Sequence, residues 1–546
     1  MAHMIINGRQ VELDGEKSVL SVIRKAGIDL PTLCYDPDLS PYGGCRMCIV
    51  ENERGSMVAA CSEVPYDGLS VKTNTKKLMK HRKLMLELLL GSHCRDCLTC
   101  KRSEKCQLQE LAVRYGVDAI RFQYDKGPRV IEETGHIIEI DRIKCVLCGS
   151  CIRTCAERQN VGALDFVERG SHMYVSTAFD KPLGETNCTG CGQCSVSCPT
   201  GAITVKDETD KLWRAINDDA CKTVALVGPS IVATAGAELG LPAGADPAGR
   251  LVGALRRIGF DEVYCLDRAA EDARAAEISA FLERFDGQGT LPWFTSWCPA
   301  WRQYVNDRHP DLQEYLSANA SPVRAMSAAV KAAKAGGADA AAESCCADAQ
   351  AGASDTGASA KSGGADAAGG LFTTVIGPCT ALKHEHAMGR GGKDVGLVLT
   401  ARELVQIIRE TGLAPDRLAP ETPDALAGGE GGASGAAGNA SAPIGNASAP
   451  VGNALAAAGN ACCAGETGVG AVCDKSLAEA VADAAGDRGV RALTVYGLAN
   501  AEEIVRQIKA GDVRYDFIEV LACPRGCATG AGHPLASVKQ RMQSET

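Results

Sequence analysis

Residues 145–155 read CVLCGSCIRTC, and residues 188–199 read CTGCGQCSVSCP. The spacings are Cys145-x2-Cys148-x2-Cys151-x3-Cys155 and Cys188-x2-Cys191-x2-Cys194-x3-Cys198-Pro199. This is the pattern of paired [4Fe–4S] cubanes, in which the last cysteine of each run ligates the other cluster. It predicts one cubane on Cys145, Cys148, Cys151 and Cys198, and a second on Cys188, Cys191, Cys194 and Cys155. Ala156 stands where a proline usually follows the first run, a minor departure.

Working outward, cysteine stays frequent: 27 in 546 residues. The first residues, MAHMIINGRQVELDGEK, have no apolar signal core and no arginine pair, and no run nears the roughly 20 apolar residues that span a bilayer. A cytoplasmic protein is expected, and there cysteines stay reduced and serve as metal ligands or redox groups, not disulfides. The net charge of −10 and the lack of a long basic run point away from nucleic acid.

Upstream lies Cys34-x10-Cys45-x2-Cys48-x12-Cys61, with Gly43 and Gly44 letting the backbone wrap close to an inorganic core. Thiolates on a tight loop plus one remote thiolate suit a [2Fe–2S] cluster, with zinc as the alternative. Next comes His93-x3-Cys97-x2-Cys100-x5-Cys106. Three thiolates and an imidazole could hold zinc or a [4Fe–4S] cluster; in the latter, a neutral imidazole raises the potential. Cys94 is spare. In this order the two sets resemble the N-terminal ferredoxin domain and His-ligated [4Fe–4S] segment of complex I large subunits and of large iron-only hydrogenases.

The expected fold is α/β and α+β multidomain. A β-grasp [2Fe–2S] ferredoxin domain spans 1–77, the His-ligated segment 78–117 and a two-[4Fe–4S] ferredoxin domain 118–215. An α/β domain covers 221–546. MIINGRQVEL reads as strand, turn and strand; SVLSVIRKAG and LMKHRKLMLELLLGS read as helices; TVALVGPSIVATAG opens with an apolar strand. Residues 326–370 and 424–468 are nearly all small and polar, so both are expected to be disordered insertions.

Three fragments of the last domain, TSWCPAW (295–301), GPCTALK (377–383) and DFIEVLACPRGCATGAGHP (516–534), resemble in order and context the signature loops of iron-only ([FeFe]) hydrogenases. The resemblance implies a fourth [4Fe–4S] cubane on Cys298, Cys379, Cys523 and Cys527. In the family the last of these also bridges to a diiron unit carrying cyanide, carbon monoxide and an amine dithiolate. The departures matter as much. Trp297 replaces a cysteine that passes protons, and an indole N–H only donates. Leu382 replaces a lysine that binds a cyanide, with Lys383 one residue late; Gly377 and Leu521 replace methionines, and Arg525 a glycine. Glu277 is the best remaining acid for a proton path.

The expectation is therefore one [2Fe–2S] and four [4Fe–4S] clusters, the diiron subcluster absent and no catalytic residue of its own. The chain resembles hydrogenase-like subunits of NAD-linked, electron-bifurcating complexes. That implies a flavoprotein NAD(P)H-binding subunit, a thioredoxin-like [2Fe–2S] subunit, ferredoxin and a second enzyme such as formate dehydrogenase as partners. No G-x-G-x-x-G follows a strand and no P-loop occurs, so nucleotide binding falls to another subunit. Alternatives are a working [FeFe] hydrogenase and an iron–sulfur assembly or sensing protein on the same fold. The other cysteines, Cys221, Cys265, Cys345, Cys346, Cys462, Cys463 and Cys473, are read as spare thiols.

Overall fold

The computed structural model describes residues 2–124, 126, 131–133, 137–241, 246–335, 370–390, 394–426, 476–527 and 530–533. Strands His3–Ile6 and Arg9–Glu12 pair antiparallel across Asn7-Gly8. Both turn residues have positive φ (51° and 84°), as a two-residue hairpin matching the strand twist requires. Strand Ser70–Lys72 then pairs parallel to His3–Ile6 at the centre of a five-stranded sheet. Helix Val19–Lys25, fixed by a capping box on Ser18, buries Val19, Leu20, Val22 and Ile23 against it.

Helix Lys76–Gly91 starts on Thr75, whose hydroxyl accepts from the Leu78 amide at 3.3 Å. Its Arg82 is 1% exposed and donates to the carbonyls of Met47, Thr73 and Ile49 at 3.2, 2.9 and 2.7 Å. A guanidinium inside the protein is tolerated here because backbone carbonyls take its protons.

From Cys221 the chain builds two parallel sheets. One orders strands Glu262–Cys265, Cys221–Val227, Gly370–Gly377 and Leu397–Thr400; the other orders Trp293–Phe294, Phe517–Leu521 and Ala492–Tyr496. Cys221–Val227 is buried at every position but Lys222, the near-continuous burial of a sheet covered on both faces. The spare thiols Cys221 and Cys265 are strand residues in that core.

The expected disorder of 326–370 needs correcting at both ends. Helix Pro322–Ala335 runs ten residues into it, burying Val330 against the first sheet, and strand Gly370–Gly377 begins at its last residue. Alanine counts toward low complexity but is also the strongest helix former. Asp424 is likewise ordered, accepting from the Val263 amide at 2.8 Å and pairing with Arg256. Residues 336–369 and 427–475, with Cys345, Cys346, Cys462, Cys463 and Cys473, lie outside the described residues. Among the described residues no helix is long and apolar enough to cross a membrane.

Candidate metal centres

Three predicted thiols follow the C-terminal ends of parallel strands. Cys298 comes after Trp293–Phe294 and caps helix Pro299–Arg308; Cys379 comes after Gly370–Gly377 and caps helix Thr380–Ala387; Cys523 follows Phe517–Leu521. Open parallel sheets bind ligands at this edge, where the connecting loops converge. Amides of Ala522, Trp301 and Ala300 point to the Cys298 sulfur, and those of Leu382 and Ala381 to Cys379, so both sulfurs sit where partial positive charge favours an anion.

Cys523 lies within electrostatic reach of Cys527, Cys379 and Cys298, so the fold gathers all four. Burial pushes the Cys298, Cys523 and Cys527 thiols up and Cys379 to about 12. Cys527 keeps some accessible surface even though protein surrounds it. Four thiols gathered in one place, three of them half-buried, lose their protons readily to a cation among them, so the donor set fits a metal cluster. Buried donors nearby agree: Trp297 Nε1, Trp301 Nε1 and Thr380 Oγ1 have no hydrogen-bond partner.

The second cubane run abuts this set. A Cβ on Gly192 would come within 2.5 Å of Thr380 Oγ1 and 2.7 Å of the Ala531 Cβ. Gln193 Nε2 donates to Cys523 Sγ at 3.5 Å, and Cys191 lies within reach of Cys298 and Cys379. The two runs are also crossed as their spacing predicts. Cys198 faces Cys145, Cys148 and Cys151, while Cys155 faces Cys188, Cys191 and Cys194. Burial raises Cys148 and Cys188 to about 12 and Cys191 to about 11.

His93, Cys97, Cys100 and Cys106 line one pocket together with Cys94, Lys144 and Gly201. His93 Nδ1 contacts the Cys94 carbonyl, and its Nε2 is buried without a partner. One ring nitrogen held by a carbonyl and the other free is the arrangement of a metal-ligating histidine. A Cβ on Gly201 would reach 2.7 Å from Cys100 Sγ, so glycine lets this pocket lie directly against the Cys198–Thr200 turn.

Cys34, Cys45, Cys48 and Cys61 are all buried. Cys34 and Cys45 sulfurs are 3.4 Å apart. Hydrogen bonding with Cys45 holds the Cys34 thiol down to about 6, and hydrogen bonding with Cys48 holds Cys61 down to about 7. Cys34 and Cys45 of the first predicted site, Cys106 of the second and Cys148 of the third pack in one apolar cluster. The N-terminal module is fastened there by Arg153, whose Nη2 donates to the Cys34 carbonyl at 2.5 Å, and by Arg158 on Asp36 and Asp38. Among the described residues no three Cys, His or carboxylate groups are placed to hold a single metal ion.

The replaced loop positions have other occupations. Trp297 packs beside Phe281, Trp293 and Phe517, and Leu382 against the first sheet's core. Lys383 is 1% exposed and its ammonium is held by Glu403 at 2.5 Å, the Lys206 carbonyl at 2.8 Å and Glu208 at 3.3 Å. Space beside Gly377 is open: an added Cβ would meet nothing within 4 Å. Glu277 is fully buried and accepts from Trp293 Nε1, Ser317 Oγ and Asn319 Nδ2 at 2.8, 2.7 and 2.7 Å.

A family described as the iron-only hydrogenase large subunit, C-terminal domain, matches residues 221–347 and 349–531. The chain belongs to that family. Ahead of it, 1–76 match a 2Fe-2S iron-sulfur cluster binding domain, 82–121 the NADH-ubiquinone oxidoreductase-G iron-sulfur binding region, and 183–204 a 4Fe-4S binding domain. The NADP-reducing hydrogenase subunit HndD of Solidesulfovibrio fructosivorans is 30% identical across 98% of this chain and 89% of its own length. Iron hydrogenase 1 of Clostridium pasteurianum is 27% identical across 99% of this chain and 90% of its own. The alpha chain of the NADPH-Fe(3+) oxidoreductase of Geobacter sulfurreducens is 34% identical over 38% of this chain and 24% of its own length.

Two residues at these centres escaped the sequence reading. Gln193 reaches Cys523 only through tertiary packing. Arg102 is 2% exposed between two cysteine sets, and its one sequence signal is a basic pair inside the Cys100–Cys106 gap.

Proposed function

We propose that this chain is the iron–sulfur electron-transfer subunit of a multisubunit NAD(P)-linked oxidoreductase, with no hydrogen chemistry of its own. Cys34, Cys45, Cys48 and Cys61 would hold a [2Fe–2S] cluster. Four [4Fe–4S] clusters would be held by His93, Cys97, Cys100 and Cys106; by Cys145, Cys148, Cys151 and Cys198; by Cys188, Cys191, Cys194 and Cys155; and by Cys298, Cys379, Cys523 and Cys527. When bound, such clusters supply one-electron transfer at potentials set by charge, hydrogen bonds and exposure.

Apolar and polar side chains of the chain itself pack between the proposed sites. Leu33, Met47, Leu86 and Leu108 pack with cysteines of the first three sets, and Gln193 and Thr380 lie between the second cubane run and the last set. The observation that carries the reading is the occupation of the replaced positions. Trp297 offers no acid–base group, and Lys383 is committed to Glu403 and Glu208, so neither of these positions supplies the proton carrier or the cyanide-binding ammonium that the family carries there. Similarity to HndD and to the NADPH-Fe(3+) oxidoreductase supports partners that bind NAD(P)H. Within this reading the flavoprotein, a thioredoxin-like [2Fe–2S] subunit, ferredoxin and a formate dehydrogenase are the electron donors and acceptors, in a cytoplasmic, electron-bifurcating complex.

Infrared spectroscopy tests this on protein made anaerobically with the hydrogenase maturation machinery. Absence of intrinsic CO and CN bands, with about eighteen irons per chain, is expected. The second reading, a working hydrogenase, draws on Glu277, a buried acid linked to Ser317 beside the same loop. Intrinsic CO and CN bands would establish it instead.

A further inference from the structure

Arg102 lies where two cysteine sets meet. Its guanidinium is 2% exposed and within electrostatic reach of Cys198, Cys106 and Cys100, and its Nη2 donates to the Ser195 carbonyl at 3.0 Å. Those sulfurs belong to different sets: Cys100 and Cys106 to the histidine-containing one, Cys198 to the first cubane of the pair. Gly201 closes the gap, since a Cβ there would touch Cys100 Sγ at 2.7 Å and the Arg102 Cβ at 3.4 Å.

Two other cations lie here, and both are accounted for differently: Lys126 donates to the Cys145 carbonyl and lies within reach of Asp141. Lys144 lines the His93 pocket and is paired with Asp141 at 3.2 Å. Among the described residues no carboxylate pairs with Arg102. An ion withdrawn from water is costly unless an opposite charge meets it. The anions within its reach are the three sulfurs, so a buried guanidinium fits this position when both sets are thiolate-bound and carry negative charge. Arginine suits the role because its charge survives burial and its hydration is weak.

We propose that Arg102 is a shared cation that sets the potentials of two neighbouring clusters together, the His93-containing one and the one on Cys145, Cys148, Cys151 and Cys198. Each reduction adds one electron's negative charge to a cluster, and a fixed positive charge beside it favours the reduced form. One guanidinium serving both keeps the two steps close in energy, so an electron passes between them without a large drop. Arg102 is a positioning and tuning residue here, acting through the sulfurs.

The inference rests on the cluster assignment above, and the two fail separately. Full-length protein as purified, Arg102→Gln, Arg102→Lys and Lys101→Gln are compared by iron and sulfide content and by EPR-monitored redox titration. Gln keeps a donor for the Ser195 carbonyl but drops the charge. In Arg102→Gln both clusters are expected to shift to more negative potentials, and in Arg102→Lys both to stay close to the parent. Lys101→Gln, which removes a surface cation paired with Glu139, is expected to shift neither. Loss of iron in Arg102→Gln alone, with full iron in Arg102→Lys, also supports the proposal by showing that the sites require the charge. Unshifted potentials in an iron-replete Arg102→Gln, a shift of one cluster only, or equal loss in Arg102→Lys overturns it. Too little iron in the parent protein would instead refute the cluster assignment.

Discussion

Lys383 Nζ and Glu403 Oε1 form an ion pair 2.5 Å apart, with both side chains almost fully buried. Glu403 also closes the capping box of helix Ala401–Glu410, its Oε2 accepting from the Thr400 amide and hydroxyl at 2.8 and 2.7 Å. Lys383→Met would leave Glu403 and Glu208 without their buried cation. Breaking one partner of a buried pair costs about 3–5 kcal/mol. The denaturation midpoint of the anaerobic protein should fall accordingly while iron content stays at the parent level. An unchanged midpoint would mean that the ammonium is free for another task.

Arg82 fastens helix Lys76–Gly91 to the first module through three carbonyls. Arg82→Ala leaves Met47, Thr73 and Ile49 carbonyls buried without their donor, each at about 1–3 kcal/mol where water cannot enter. Limited proteolysis should release the segment before residue 76 from the variant, far faster than from the parent. Equal cleavage rates would show that apolar packing alone holds the module.

The cysteine runs stand out because the spacing that cluster ligation requires is local: it marks Cys145–Cys155 and Cys188–Cys198. Their crossing follows from the same spacing. Cys298 and Cys379 are single cysteines on separate loops, and only the hydrogenase-like motifs around them gave them away. The convergence of those loops depends on two parallel sheets whose strand order is not written in any short stretch. Helix Pro322–Ala335 was misread because alanine was counted as low complexity, although Met326 and Val330 sit at helical spacing. Arg102, Gln193 and the Lys383–Glu403 pair were invisible for a common reason. Each acts on partners brought close only by folding.

The crossed assignment predicts a pattern of non-additivity, because residues sharing one cluster act as a unit. Cys155→Ser and Cys188→Ser should each cost about four irons per chain if serine does not substitute, and the double variant no more than either single. Cys155→Ser combined with Cys145→Ser should cost about twice as much, despite the closeness of Cys145 and Cys155 in sequence. Iron analysis and EPR spin counts on reduced protein distinguish these outcomes. If the Cys155–Cys145 pair behaves as a unit instead, the runs are not crossed.

Rebuilding the loop residues of hydrogenase character offers the sharpest check on the last set. Trp297→Cys would supply a thiol and Leu382→Lys an ammonium at the positions where the family carries them. Yet Leu382 packs against the apolar cluster that includes Val224, Leu226 and Val375, where an ammonium would be expensive to bury. Removing Trp297 takes a half-buried aromatic from beside the cluster that includes Phe281, Trp293 and Phe517, and loses its packing. Gly377, Leu521 and Arg525 would remain as they are. The double variant, expressed with the maturation machinery, should therefore be less stable, show no intrinsic CO or CN bands and evolve no hydrogen from reduced viologen. Hydrogen evolution by that variant would mean that the pocket still accepts a diiron unit, and that two side chains alone separate this chain from a working hydrogenase.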